Sequence, residues 1–255
     1  MKFVRFRHAN KTGFGVLEND NTIQVHEGDM FASPRATGRK LALADVELLA
    51  PCEPSSMVAL WNNSRIQIET KKRATPKEVL WFLKPQSCFL GPNQPIVYPT
   101  GQTNRVVLEG EIGIVIGKRC RNVTVEQAKD CIFGYTVIND VTAQDLVMRD
   151  ETYPQYTRAK AFDTFGIFGP AIATGIDPLK LVIRSFVNGE QCQEYPVTDL
   201  VFGPAATVAE VSKTMTLVPG DVIACGTSLG VKPIKPGDTV EIRIDGIGSL
   251  VNPVV

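Results

Sequence analysis

The sequence predicts a mainly β protein of the α+β class with few, short helices, arranged as a small unit over residues 1–50 and a larger one over residues 51–255. Three observations carry this. First, Phe3-Val-Arg-Phe-Arg7, Gly13-Phe-Gly-Val-Leu17 and Thr22-Ile-Gln-Val-His26 are short strand-like runs joined by Asn- and Gly-rich turns such as Glu18-Asn-Asp-Asn21. Second, Leu41 to Leu49 alternates loosely and runs into Pro51, where a boundary is expected. Third, strand patterns dominate beyond Pro51: Pro219-Gly-Asp221 and Pro236-Gly-Asp238 are turn signals before the strands Val222-Ile-Ala-Cys225 and Thr239-Val-Glu-Ile-Arg-Ile244. Three helices are expected. Thr124, with Gln127 three residues on, forms a capping box that opens a helix through Cys131. A second covers 140–150 with Asp140 as its cap, and a third runs from Ala205 to Met215. Ser64 to Lys77 is the most polar stretch and reads as an exposed loop or a mobile lid.

Composition narrows the class of function. The 255 residues, 44% of them hydrophobic, can bury a sizeable core. Basic and acidic residues balance at 27 each, so nothing points to nucleic acid or an anionic membrane surface as partner. No run approaches the roughly 18 apolar residues of a membrane span, and Met1-Lys-Phe-Val-Arg-Phe-Arg7 lacks the apolar core of a signal peptide, so a cytoplasmic protein is expected. Cysteines 52, 88, 120, 131, 192 and 225 are scattered without a Cys-x-x-Cys pair and read as reduced, mostly buried thiols. His8 and His26 both lie in the first unit and read as surface or structural groups.

The chemistry concentrates in Glu109-Gly110-Glu111 and in Asp140, which closes Gly134-Tyr-Thr-Val-Ile-Asn-Asp140. Glu109 and Glu111 stand two apart at the head of the strand-like run Ile112-Gly-Ile-Val-Ile-Gly117, so both side chains leave one face of a sheet. Two readings stand at this point. The pair is the solvated face of an antiparallel strand, or it converges with Asp140 into a three-carboxylate cluster. Neither motif holds a Lys or Arg excess to neutralise such a cluster, which then requires a cation. All-oxygen ligation favours Mg²⁺ or Mn²⁺ over Zn²⁺.

Val106-Val-Leu-Glu-Gly-Glu-Ile-Gly-Ile-Val-Ile-Gly-Lys118 and Gly134 to Asp145 resemble the two signature segments of the fumarylacetoacetate hydrolase superfamily. The resemblance continues through Arg158-Ala-Lys160-Ala-Phe-Asp163, Phe186-Val-Asn-Gly-Glu190, Gly220 to Thr227 and Pro236 to Gly248, in the family's order, over residues about 50 to 255. It implies a rolled, mixed β-sheet domain preceded by the small N-terminal β-rich domain, and a homodimer. It also implies that Glu109, Glu111 and Asp140 hold Mg²⁺ or Mn²⁺, with open positions that a 2-oxo acid fills by chelation. Lys160 matches the family's active-site lysine, which contacts a ligand oxygen or helps move a proton; its structural alternative is a buried ion pair with Asp163 or a metal ligand. Thr227, in Cys225-Gly-Thr-Ser-Leu-Gly230, matches the family's substrate-facing glycine-threonine loop.

Departures from the family pattern bear on the reaction. Hydrolytic members carry an Asn-Tyr pair, then a His and a Glu three residues later that activate water. Here Tyr becomes Ser64, the His position holds Gln67, and Glu69 lies one residue short of the acid position. An amide takes no proton from water, so the usual hydrolytic base is absent. Ala143-Gln144-Asp145 replaces the family's Ala-Arg-Asp. Trp81-Phe-Leu-Lys-Pro85 is similar to the decarboxylase and isomerase members of aromatic-acid breakdown. The leading expectation is therefore a Mg²⁺- or Mn²⁺-dependent enzyme that decarboxylates or tautomerises a 2-oxo or 2-hydroxy-dienoic acid. The alternatives are carbon-carbon hydrolysis of an acylpyruvate, with Glu69 or a metal-bound hydroxide as base, and a non-catalytic, metal-dependent ligand-binding relative.

Overall fold

The central strand of the molecule, Gly110–Ile116, is buried along its whole length and sits between two others. A strand covered on both faces needs apolar residues at successive positions rather than every second one, which is why Ile112, Ile114, Val115 and Ile116 are all fully enclosed. On one side it pairs antiparallel with Ile132–Asp140, on the other with Val222–Ala224. The computed structural model describes residues 1–19 and 21–255. The expected turn over 18–21 includes Asp20, which lies outside the described residues.

Among the described residues three sheets organise the chain. The largest runs from Arg35–Ala42 through Thr22–Glu27, Lys11–Glu18, Lys2–His8, Gly166–Ala173, Ile132–Asp140, Gly110–Ile116, Val222–Ala224 and Met57–Trp61 to Leu80–Lys84 at its other edge. It is mixed, because Met57–Trp61 pairs parallel to Val222–Ala224 while most other ladders are antiparallel. The first strand continues this sheet directly, with Lys2 opposite Ala173 and Phe3 opposite Ile172. A four-stranded sheet of Glu190–Pro196, Val182–Val187, Thr239–Ile244 and Gly248–Pro253 is the second layer, and Thr142–Ala143, Val106–Val107 and Pro233–Ile234 make a small third. The mostly β class with short helices is as the sequence predicts.

The helix expectations fare unevenly. The capping box forms: Gln127 N donates to Thr124 Oγ1 and Thr124 N to Gln127 Oε1, opening Val125–Cys131. The third helix spans Pro204–Thr214, with proline at its first turn where no N–H is required. The second is corrected. Asp140 is the last residue of its strand and not a cap; the helix there is only Gln144–Val147. The backbone groups that a longer helix would use are already engaged, since Asp140 N donates to Glu109 O, Val141 N to Phe165 O, and Thr142–Ala143 pairs with Val106–Val107. Ser64 to Lys77 is half helix, Arg65–Thr70, followed by turns. Among the described residues all six cysteines are free, and all but Cys192 are buried; no helix is long and apolar enough to cross a membrane.

Close strand approach explains the glycines of the two signature segments. A Cβ on Gly134 would lie 2.4 Å from the carbonyl oxygen of Ala173, and backbone cannot yield as a flexible side chain can. Gly134→Ala is expected to destabilise the fold by about 1–3 kcal/mol through overpacking, read as a lower urea midpoint with unchanged slope.

Candidate active site

The two signature strands end where their carboxylates meet. Glu109 precedes the first residue of Gly110–Ile116, Glu111 is its second, and Asp140 is the last of the antiparallel neighbour. Ligand oxygens of all three lie within 4.8 Å of one another. Asn139 fixes the crossing, its side-chain oxygen accepting from Glu109 N at 3.1 Å while Asp140 N donates to Glu109 O at 2.9 Å. Glu111 is 1% exposed and the Glu109 side chain 16%, with its carboxylate bonded to Lys160, so the pair is not the solvated face of a strand.

The charges are partly answered. Lys84 Nζ donates to Asp140 Oδ1 at 2.5 Å; Lys160 Nζ donates to Glu109 Oε2 at 2.8 Å and also to Asp140 Oδ2. Lys160 thus bonds to the triad and not to Asp163. Burial alone would raise all three carboxyls. It prevails at Glu109 and, most strongly, at Glu111, where the Asp140 charge adds to it. At Asp140 the lysines outweigh burial and hold the group below its usual range. Burial disfavours the Lys160 ammonium, but Asp140 and Glu109 outweigh it, so Lys160 stays protonated. Gly226, in a loop turn at φ +91°, donates its N–H to Glu111 Oε2 at 2.6 Å. The other oxygen, Oε1, is buried without any partner.

With all three carboxyls ionised the two ammonium groups leave one negative charge, which burial resists at Glu111, whose Oε1 is also orphaned; a bound cation would answer both. The residues therefore fit a divalent cation, and the all-oxygen donor set selects a hard ion of the Mg²⁺ or Mn²⁺ kind.

Beside the triad opens a cavity of about 510 Å³ whose wall includes Glu109, Lys160, Thr227, Gln144, Gln67 and Arg73. Thr227 Oγ1 donates to Gly110 O at 3.0 Å and accepts from Gln193 Nε2 at 2.9 Å, which fixes its hydroxyl at the rim. Gln144 Oε1 accepts from Arg105 Nε at 2.5 Å, so a cation from another segment stands behind the position where the family pattern has arginine. Glu69 is exposed and does not line the cavity.

Gln67 is anchored. Ser64 caps its helix, and the Ser64 hydroxyl donates to Asp199 Oδ2 at 2.5 Å and bonds Ser228 Oγ at 2.9 Å. Asp199 Oδ1 also accepts from Ile66 N. Gln67 Nε2 donates to Ser228 O at 3.3 Å, and Gln67 Oε1 accepts from Arg73 at 3.1 Å. The segment that carries the base in the hydrolytic pattern is here pinned by a buried aspartate. Sequence reasoning missed Lys84, Asp199 and Arg73. Lys84 stood in the quoted Trp81 to Pro85 motif, whereas Asp199 had no local signal at all.

Buried carboxylates at adjoining strand ends, with a lysine bonded to two of them, make a candidate metal site on a mixed β scaffold. The chain belongs to the fumarylacetoacetate hydrolase family: the fumarylacetoacetate (FAA) hydrolase C-terminal pattern matches residues 56–255, and a Rv2993c-like N-terminal pattern matches residues 1–51. Protein Rv2993c of Mycobacterium tuberculosis is 44% identical over 228 residues, 88% of this chain and 84% of that protein. The mitochondrial oxaloacetate tautomerase fahd2 of Xenopus laevis is 38% identical, covering 84% of this chain and 70% of its own. Among solved structures, 5-carboxymethyl-2-hydroxymuconate delta-isomerase from Mycobacterium smegmatis superposes with a TM-score of 0.93 at 39% identity, covering 100% and 99% of the two chains. Maleylpyruvate hydrolase from Sphingobium sp. SYK-6, in complex with manganese (II) and pyruvate, superposes at 0.81 with 29% identity, covering 100% of this chain and 99% of its own.

Two outcomes are expected. Glu111→Gln should abolish Mn²⁺ binding by titration calorimetry with the fold intact by circular dichroism; retained binding would remove Glu111 from the site. Asp199→Ala should leave the cap unfastened at a cost of about 1–3 kcal/mol, seen as faster hydrogen exchange across residues 64–70.

Proposed function

We propose that this protein is a Mg²⁺- or Mn²⁺-dependent enzyme that tautomerises or decarboxylates a 2-oxo or 2-hydroxy-dienoic acid. The observation that carries the reading is the buried triad with the orphaned Glu111 Oε1, bonded to Lys160 and sharing its cavity with an amide, Gln67, at the position of the hydrolytic base. Relatives that bear isomerase and tautomerase names support the same choice. A divalent cation held by Glu109, Glu111 and Asp140 would supply Lewis acidity, favouring the enolate form of a bound oxo acid.

The chain's own groups do the rest. Lys160, hydrogen-bonded to Glu109 and Asp140, can donate to the oxygen on which enolate charge develops, or help move a proton. Thr227, held by Gly110 and Gln193, offers its hydroxyl oxygen to a ligand in the same cavity. Lys84 takes no part at the cavity; fully enclosed, it holds Asp140 ionised and aimed. Gln67 cannot accept a proton from water, and its amide is spent on Ser228 and Arg73. Loss of that base is compatible with tautomerisation and decarboxylation, which move a proton or release CO₂ without activated water.

The test is a proton NMR time course with Mg²⁺ and a mixture of oxaloacetate, an acylpyruvate and a 2-hydroxy-2,4-dienedioate. Double-bond migration, faster keto-enol exchange or CO₂ loss, with the acylpyruvate intact, is expected; pyruvate plus the acyl acid would establish hydrolysis instead. Lys160→Met should lower kcat by about 10²–10⁴-fold, the usual contribution of a positioned proton donor, while Mn²⁺ still binds. An unchanged kcat would remove Lys160 from the chemistry.

A further inference from the structure

A second cavity, of about 480 Å³, lies between the start of the Pro204–Thr214 helix and the Ile132–Asp140 strand, and it shares no lining residue with the cavity beside the triad. The first N–H groups of a helix have no partner inside it, and Ser, Thr, Asp or Asn at the cap position usually accepts from them. Here that position is Gly203, and no side chain caps the helix. Neither strain nor crowding requires the glycine: its φ is −70°, and a Cβ on it would meet nothing within 4 Å. The first backbone bond at this end runs from Thr207 N to Gly203 O at 2.9 Å. Pro204 has no N–H to offer, so the open donors are those of Ala205 and Ala206, and both residues line the cavity.

Tyr135 is an independent sign of a ligand. It lines the same cavity and is 8% exposed, yet its hydroxyl has no hydrogen-bond partner among the described residues. A buried hydroxyl left without a partner is costly. This one is not sealed by packing either, so it opens on the cavity. Burial holds the phenol above its usual range, which keeps the proton on the oxygen and makes the group a donor. Three donors without acceptors therefore border one space.

The rest of the wall is mainly apolar. Ile132 and Ile176 pack against the core from its side, and Leu179 stands at the rim with 55% of its surface exposed. Two charged groups complete it. Lys129 bonds to Glu126 at 2.7 Å, and Asp177 accepts from Leu179 N at 3.1 Å with Lys180 at 4.0 Å. Their charges cancel, so the cavity suits an anion of single charge and resists a second.

We propose that this cavity is a binding site for a small apolar monocarboxylate, whose carboxylate accepts from Ala205 N, Ala206 N and the Tyr135 hydroxyl while its hydrocarbon body covers Ile132, Ile176 and Leu179. A helix N-terminus favours negative charge, and a carboxylate has enough acceptor positions for all three donors. The site is separate from the triad and does not depend on the reaction proposed there.

The probe is 3-phenylpropanoate, with 3-phenylpropanamide as its neutral counterpart and acetate as the short reference. Each is titrated into the whole chain in the presence of Mg²⁺ and followed by amide NMR. The acid should shift the Ala205 and Ala206 amides saturably and bind about 10-fold or more tighter than either comparison compound, the size of a charge-assisted hydrogen bond. Tyr135→Phe removes only an unpartnered hydroxyl and should weaken the acid about 10-fold with little effect on the amide. Gly203→Asp places a carboxylate of the protein's own on the same N–H groups; it should abolish the acid's binding there and raise the thermal midpoint. Equal affinity for acid and amide, or unchanged binding of the acid in either variant, would overturn the proposal. So would shifts confined to Gly226, whose N–H bonds to Glu111 and marks the triad, because the acid would then bind only there. A response that fails to saturate by about 10 mM would reduce the cavity to a surface hollow and overturn it equally.

Discussion

Burying three carboxylates within 4.8 Å of one another is the constraint on which the rest of this structure depends. Each ionised group removed from water costs several kcal/mol after relaxation, and like charges at this range add to that. The fold answers with groups from segments far apart in the chain: Lys84 from an edge strand, Lys160 from a short helix, and the Gly226 N–H from the loop after Val222–Ala224. None of these can be delivered unless the large sheet brings its centre and its edge into register. The site and the sheet are therefore specified together, and one oxygen of Glu111 is still unmet.

The enclosure of Gly110–Ile116 follows from the same requirement. Carboxylates at the end of an exposed strand would be solvated, with ordinary proton affinities and weak leverage on a ligand. Covering both faces of the strand lowers the local dielectric, so that a cation, an ammonium or a developing enolate interacts more strongly there than in water. The cost appears as glycine. Gly113 has Ile138 pressed against it and Gly134 has the backbone of Ala173, so side chains are given up where neighbouring strands crowd in.

Much of this was legible in the sequence, and the limits have physical causes. The capping box at Thr124 and the helix ending at Thr214 are local signals, and local physics suffices to read them. The convergence of Glu109, Glu111 and Asp140 was legible through residue type and motif, since two strand-like runs ending in carboxylates imply adjoining termini. The helix expected from Asp140 failed because strand pairing by Thr142–Ala143 and the bond from Asp140 N to Glu109 O overrode a local preference. The cations were the larger gap. Absence of Lys or Arg inside the two motifs did not mean absence around the carboxylates, because Lys84 is 56 residues from Asp140 along the chain and only the sheet joins them. Asp199 is 135 residues from Ser64, with the same consequence.

The replacement of a base by Gln67 is better understood as one part of a rearranged segment than as a single loss. A base must be free to approach its water and to change charge; Gln67 does neither, since Ser64, Asp199 and Ser228 fasten its helix and its amide bridges Ser228 and Arg73. Buried networks of this kind hold a segment in one arrangement only when every member is satisfied, and here each side chain has its partner. A fixed segment suits the recognition of a ligand's shape and charge, where preorganisation lowers the entropy lost on binding. In the proposed reaction proton movement then falls to Lys160, bonded to Glu109 and Asp140. Under the proposed reaction the fastened segment has no water to activate, and the chemistry rests with the groups at the triad.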